Sequence, residues 1–229
     1  MLTQKDTEFI IQYFSFWEHL TESQKDLLLT NITSATYKKG ENLHSGDYDC
    51  MGVLLIKSGA LRNYMISEEG RELNLYRLEC GDVSILSASC VLRPITFDIH
   101  IEAESDCEIF RLNPQTFKQL TNENIYVEAF SYKLVSECFS TVMWSMKQIL
   151  FTSFDKRLAA FLIEESEKNE TDTVHMTHEQ IAKYLSSARE VVSRMLNHFS
   201  KNGYVALSRG DIRILDKKNL ESIAFSTPI

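Results

Sequence analysis

The feature that most restricts the fold is a double change in the period of the apolar residues along one chain. Near the start, Phe9, Ile10, Tyr13, Phe14 and Trp17 recur at three- and four-residue steps, and Thr21 to Gln24 opens a second helical stretch. From Ala35 the text breaks into short runs of Tyr, Leu, Val and Ile separated by Gly40, Gly46, Gly59, Gly70 and Gly81, with Glu41, Asp47 and Asp82 directly after three of them. Such runs, with turn residues between them, specify an antiparallel sandwich or barrel with strands expected at 51–56, 60–66, 72–78, 97–102 and 108–112. Asn113 and Pro114 then favour a fresh helix start, and the helical period returns. The expected class is α+β, with the first helices capping the sheet.

In the long helical stretch, Val127, Phe130, Leu134, Val135, Cys138, Val142, Met146 and Ile149 trace one stripe, which Phe139, Met143 and Leu150 widen. A stripe that wide must be covered on two sides. One side suits the sandwich. The other, carried by Val135, Cys138, Val142, Met146 and Ile149, has coiled-coil-like spacing and is expected to meet a second copy across a two-fold axis. Thr152 and Asp155 stand at capping spacing, so a new helix is expected over 154–168. The expected domains are 1–115 for the helices and β-roll, 116–151 for a long dimerisation helix and hinge, and 152–229 for a second unit.

No run approaches the roughly 18 apolar residues of a membrane span, and the start Met1 to Asp6 does not read as a secretory signal, so a soluble cytoplasmic protein without membrane contact is expected. The five cysteines, at 50, 80, 90, 107 and 138, form no CxxC or CxxH pair, which suggests reduced thiols and no structural zinc. A net charge of −8 argues against nucleic acid only if it is evenly spread. It is not: residues 1–150 hold 13 Lys and Arg against 21 Asp and Glu, whereas residues 176–218 hold 8 against 4.

That basic stretch has a pattern of its own. Thr177 and Gln180 have capping-box spacing, and Ile181, Ala182 and Leu185 give a short amphipathic helix ending at Ser186 and Ser187. A second helix follows with Val192, Met195, Leu196 and Phe199 on its apolar face and Arg189, Glu190, Ser193 and Arg194 on the other. Two short helices joined by a tight turn, the second presenting Arg and Glu near its start, suit the major groove. Arg can bond guanine O6 and N7 together, and Glu can accept from the cytosine amine. Residues 205–208 and 212–215 read as a hairpin turned at Arg209, Gly210 and Asp211, completing a winged helix-turn-helix. Lys201, Arg209 and Arg213, with Thr177 and Ser187 at the helix starts, are the further DNA contacts expected.

The chain resembles the Crp/Fnr family of bacterial transcription regulators from about Phe14 to Leu220. Lys39, Gly40, Glu41, Asn42 and Leu43, followed by Gly46-Asp47, Ser58-Gly59, Gly70 and Gly81-Asp82, look like the turns of the family's cyclic-nucleotide-binding β-roll. Ala188 to Arg194 looks like its recognition helix. The resemblance implies a jelly-roll sensor, a dimerisation helix and a DNA-reading domain. It also implies base contacts by Arg189, Glu190 and Arg194 in one subgroup and by Glu190, Ser193 and Arg194 in another, hence a TGTGA- or TTGA-like palindrome. Ala188 stands where the family usually has a capping Ser, and Ser187 is expected to cap one residue earlier.

In cyclic-AMP-responsive members a Gly-Glu pair meets the ribose and an Arg-Ser pair the phosphate. Here Gly81-Asp82 shortens the acid, and Phe97-Asp98 falls where Arg-Ser would stand, with Arg93 nearby. An Asp repels a phosphate, so cyclic AMP is not expected. The first cysteine is Cys50, too late for the family's iron–sulfur cluster. Haem ligation by His44, Cys80, Cys90, His100 or Cys107 is chemically open but disfavoured, because lone Cys and His side chains usually serve packing. The expected partners are double-stranded DNA, a second copy, an unidentified small-molecule effector and, for an activator, RNA polymerase. The competing reading is a ligand-binding signalling module that does not bind DNA. No phosphate loop, nucleophile elbow or HExxH spacing suggests an enzyme.

Overall fold

The computed structural model describes residues 2–45, 51–68, 70, 72–85 and 98–225. The chain divides into two compact units, Met1–Gly70 with Leu75–Met143, and Trp144–Ile229 with Arg71–Asn74.

The first unit opens with α1 (Gln4–Tyr13) and α2 (Glu22–Thr30), each started by a capping box, Thr3 with Asp6 and Thr21 with Gln24. Among the described residues eight strands follow: β1 (Ile32–Tyr37), β2 (Asn42–Ser45), β3 (Val53–Ser58), β4 (Leu61–Ile66), β5 (Glu72–Leu78), β6 (Val83–Ser84), β7 (His100–Ala103) and β8 (Cys107–Leu112). They form two sheets, in the orders β1-β8-β3-β6 and β2-β7-β4-β5. The expected run at 72–78 matches β5, and the other expected strands shift by one to three residues.

β3 shows how the sequence builds two cores from one strand. Its first four residues are all buried, and the alternation of side chains divides them. Val53 and Leu55 join Phe110 and Leu112 of β8 in a cluster with Ile10, Phe14, Phe16 and Leu28 of the N-terminal segment. Leu54 and Ile56 face the opposite way, with Leu61, Ile101 and Ile109. The turn between β3 and β4 requires glycine: Gly59 has φ of 81°, and a Cβ there would strike the Asp106 carbonyl and Cys107.

An ion-pair cluster ties the cap to the sheet. The Lys57 ammonium of β3 donates to Asp6 Oδ1 at 2.8 Å and to Glu108 Oε1 at 2.9 Å. Asp6 is buried and also accepts from the Thr3 amide at 2.8 Å. The Lys57 bond and the Thr3 bonds hold its carboxyl at about 2 against an ordinary 3.8. A lowered folded pKa contributes stability that is present above pH 4 and is lost as the pH falls toward 2. Asp6→Asn should therefore lower stability at pH 7 by on the order of 1–2 kcal/mol. In melting curves the gap between wild type and variant should close across that acid window.

After β8, the Asn113 side chain caps α3 (Pro114–Glu123), with Pro at its start. The helical stretch is then broken rather than continuous. Asn124 is extended, its side-chain amide donates to the His19 carbonyl at 2.9 Å, and its Oδ1 accepts from the Tyr126 amide, opening α4 (Ile125–Phe151). Val127 and Phe130 of α4 enter the first cluster, and Leu134 and Val135 pack against it.

The second unit contains α5 (Phe154–Lys168), β9 (Thr173–Val174), α6 (His178–Tyr184), α7 (Arg189–Lys201), β10 (Val205–Ser208), β11 (Asp211–Ile214) and α8 (Lys217–Ala224). The expected helix over 154–168 matches α5, but its cap differs. Ser153 is the capping position, without a side-chain bond, and the Thr152 hydroxyl turns back to Gln148 instead. Leu158, Leu162, Ile181, Val192, Leu196, Phe199, Val205, Ile212 and Leu220 form one shared core. The sheet order is β10-β11-β9, and the β10–β11 register pairs Val205 with Ile214 and Ser208 with Asp211.

Candidate nucleic-acid interface

α6 starts at the Thr177 capping box, where the hydroxyl accepts from the Gln180 amide at 3.2 Å and Gln180 Oε1 accepts from the Thr177 amide at 2.8 Å. The turn after it is closed by backbone bonds from the Ser186 and Ser187 amides to the Lys183 and Ala182 carbonyls. Ser186 adopts φ of 49°, a left-handed conformation that reverses the chain direction. From α5, a guanidinium nitrogen of Arg157 donates to the Leu185 carbonyl at 2.7 Å, fixing the end of α6. Ala188 is the N-cap of α7 and supplies no side-chain bond, and Ser187 does not replace it. The first amides of α7 are thus without a side-chain cap, and a helix start in that condition favours anions.

The apolar positions Val192, Leu196 and Phe199 are buried in the core. That orients the rest of α7 outward. Arg189, Glu190 and Arg194 are exposed and Ser193 is half-buried on the same face. Among the described residues, no hydrogen bond or ion pair holds the side chains of Arg189, Glu190 or Arg194, nor those of Lys201, Arg209 and Arg213. Elsewhere cations are consumed: Lys25, Lys38, Lys57, Lys183 and Lys217 each pair with a carboxylate. An unpaired basic face is available to phosphate and base edges.

Arg209 lies at the tip of the β10–β11 wing and Arg213 is exposed on β11. His175 Nδ1 lies 2.7 Å from Asp211 Oδ1, bracing the wing. Two residues on this surface escape the sequence reading. Asn197 is exposed one turn beyond Ser193 on the same face, and its four-residue step from Ser193 was the available signal. His178 contacts Ser193 across the two helices, which no local pattern encodes.

The residues expected to meet an effector lie in the first unit. Gly81 has φ of 94°, and a Cβ there would strike the Tyr13 ring of α1. Gly81 and Asp82 border a cavity of about 320 Å³ whose polar groups include Tyr76, Ser84, Glu137, Cys138 and Thr141. Burial raises the Tyr76 phenol well above its ordinary range, with Cys138 beside it, and burial also raises the Cys138 thiol. Arg77 is paired with Glu104, and Asp82 Oδ2 accepts from the Glu79 amide at 2.7 Å. Among the described residues, this lining offers carboxylates and hydroxyls, together with Arg77 already paired to Glu104. Asp98 does not line the cavity, and Arg93 lies outside the described residues.

On α4, Val135 packs against the sensor core and Cys138 lines the cavity, while Val142 and Ile149 are half-buried. Met146 is exposed together with Tyr132, Phe139, Met143 and Leu150. Their spacing of seven, four, three and four residues is that of a coiled-coil seam. No helix among the described residues is long and apolar enough to cross a membrane. Among those residues no three His, Cys, Asp or Glu side chains converge as metal ligands.

Comparison with known proteins agrees with this architecture. A Crp-like helix-turn-helix domain model matches residues 156–223, and a cyclic nucleotide-binding domain model matches residues 35–124. The chain is similar to a structure from Eubacterium rectale described as a transcriptional regulator of the Crp/Fnr family. It is 44% identical to it, with a TM-score of 0.91, covering 94% of this chain and 100% of that one. It is 30% identical to the transcriptional regulatory protein btr of Bordetella pertussis, over 81% of this chain and 78% of the relative. The transcriptional activator protein FnrA of Stutzerimonas stutzeri is 26% identical, over 82% and 78% respectively. With a β-roll, a long helix and a winged helix-turn-helix bearing an exposed basic face in one chain, this protein belongs to the Crp/Fnr family and is a DNA-binding transcription regulator.

Proposed function

We propose that the protein works in the cytoplasm as a homodimer that reads a palindrome with TGTGA- or TTGA-like arms, switched by an effector held between the β-roll and α4. The observation that carries this reading is the exposed α7 face on which Arg189, Glu190 and Arg194 stand beside Ser193 without a partner among the described residues. Arg189, Glu190, Ser193 and Arg194 address bases. Thr177, Ser187, Lys201, Arg209 and Arg213 address phosphates, with the α7 amides adding to the anion site. Two recognition helices about 34–36 Å apart engage successive turns of one DNA face.

Support for the dimer comes from the apolar seam of α4 led by Phe139, which is 65% exposed in the single chain. Such a stripe calls for a partner surface of the same character. The effector would meet Arg77, Asp82 and Glu137 together with the Tyr76 and Ser84 hydroxyls that border the cavity. Its arrival would shift the packing of Leu134 and Cys138 and so bias α4. RNA polymerase becomes a partner where the regulator activates.

The phosphate assignments have a simple test. Arg213→Ala should weaken binding to every duplex alike and reduce the slope of log affinity against log salt by about one. Fluorescence anisotropy titrations across a salt series measure both, and a sequence-dependent loss would move Arg213 to base reading.

A further inference from the structure

His178, the first residue of α6, and Ser193, in the middle of the exposed face of α7, are joined by a contact of 2.6 Å between Nδ1 and Oγ. Both residues are half-buried, and this is the hydrogen bond the Ser193 hydroxyl makes among the described residues. A hydroxyl carries one proton and two lone pairs, so whichever group takes the proton decides what the hydroxyl offers elsewhere. With the ring neutral and its proton on Nε2, Nδ1 is an acceptor and Ser193 must donate to it. The outward side of Oγ is then lone pairs only. With the ring protonated, Nδ1–H donates to Oγ and the hydroxyl proton is released to point outward.

We propose that His178 is a positioning residue for base reading: it takes the Ser193 proton, so that Ser193 meets DNA as an acceptor, and protonation of the ring reverses that polarity. The inference rests on the reading of α7 as the base-contacting helix. An acceptor selects a base edge that offers an amine, adenine N6 or cytosine N4, whereas a donor selects guanine O6 and N7 or thymine O4. Sequence preference at one base pair thus becomes dependent on the state of a side chain that need not touch that base.

The surroundings favour the neutral ring. Burial and the positive charge of Arg189 both hold the imidazole below its ordinary value of 6.5. Arg189 is the charged group of α7 that acts on the ring, and Glu179 is its acidic neighbour on α6. Glu190 and Arg194 complete the charged groups of the α7 face, and among the described residues no carboxylate pairs with His178. A neutral ring with its proton on Nε2 gives the acceptor state at pH 7, and the donor state of a protonated ring is reached only below the ordinary imidazole value.

The test uses the purified full chain and the palindrome it enriches from a random pool at pH 7.5. Ser193→Ala first identifies the position at which preference is lost. Duplexes varied at that position are then titrated by anisotropy from pH 7.5 downward until the ring is protonated, at fixed salt, with wild type, Ser193→Ala and His178→Asn. The expected result is a preference of about fivefold for the amine-bearing base in wild type at pH 7.5, the size of one neutral hydrogen bond. It should weaken, and then vanish or invert, in step with protonation of the ring as the pH is lowered, and His178→Asn should show no such pH dependence. Nitrogen-15 spectra of the labelled ring should show the proton on Nε2 at pH 7.5, a readout independent of how well the variants bind. A wild-type preference that ignores pH overturns the inference, as does a ring protonated on Nδ1 at pH 7.5 or a Ser193→Ala variant that reads every position as wild type does. If the protein retains DNA but enriches no sequence, the assignment of α7 to base reading falls, and this inference with it.

Discussion

Phe139→Glu is expected to run as a monomer in sedimentation velocity at concentrations where the wild type is dimeric, and to lose palindrome affinity by a factor of 100 or more. Phe139 is 65% exposed in the single chain and sits centrally among Tyr132, Met143, Met146 and Leu150, all exposed on one side of α4. A carboxylate at the centre of an apolar seam would be desolvated without a partner, which opposes association strongly. The loss on DNA follows from linkage: two covalently or tightly joined reading heads gain about 10²–10⁴ over one. Because Phe139 takes no part in the sensor core, circular dichroism of the variant should match wild type. A folded Phe139→Glu that stays dimeric would place the interface on another face.

The second large effect concerns base reading itself. Arg194→Ala should cost about 1–3 kcal/mol against the selected sequence, roughly 5- to 150-fold, and relax preference at one base. The guanidinium is exposed, pairs with no carboxylate among the described residues and stands beside Ser193, so truncation removes contacts to DNA rather than contacts within the protein. Its neighbour Val192 anchors the helix in the core, so the variant keeps its α7 geometry. Competition binding against a panel of single-base substitutions separates the outcomes. Equal weakening for every duplex would assign Arg194 to phosphate.

Much of this molecule was legible in the residues, and the failures have physical causes. The α5 bounds, the β5 strand and the wing could be read because period, turn residues and caps agreed locally. The split of α3 from α4 was not, since Asn124 breaks the helix through bonds to His19 and Gln24, about a hundred positions earlier in the chain. Which side of α4 is left open in the single chain was not legible either, for a related reason. A helix apolar on nearly all sides does not reveal which side the rest of the fold will cover. The β-roll takes Val127, Phe130, Leu134 and Val135, and the cavity takes Cys138, so the stripe left open runs through Phe139, Met143 and Leu150. The α7 face was legible because amphipathicity on a short helix leaves one choice. Its partner His178 was not, because a contact between two helices depends on the turn that Ser186 makes possible.

The central claim is that the α7 face reads DNA sequence, and selection of duplexes from a randomised pool by the purified protein tests it most directly. The selection should be run at two salt concentrations, because phosphate contacts dominate raw affinity. The account predicts enrichment of a palindrome with TGTGA- or TTGA-like arms, centred about 10–10.5 base pairs apart, at both salts. Retention of DNA that grows stronger at low salt yet enriches no sequence would contradict it, and would leave the basic face as a non-specific surface.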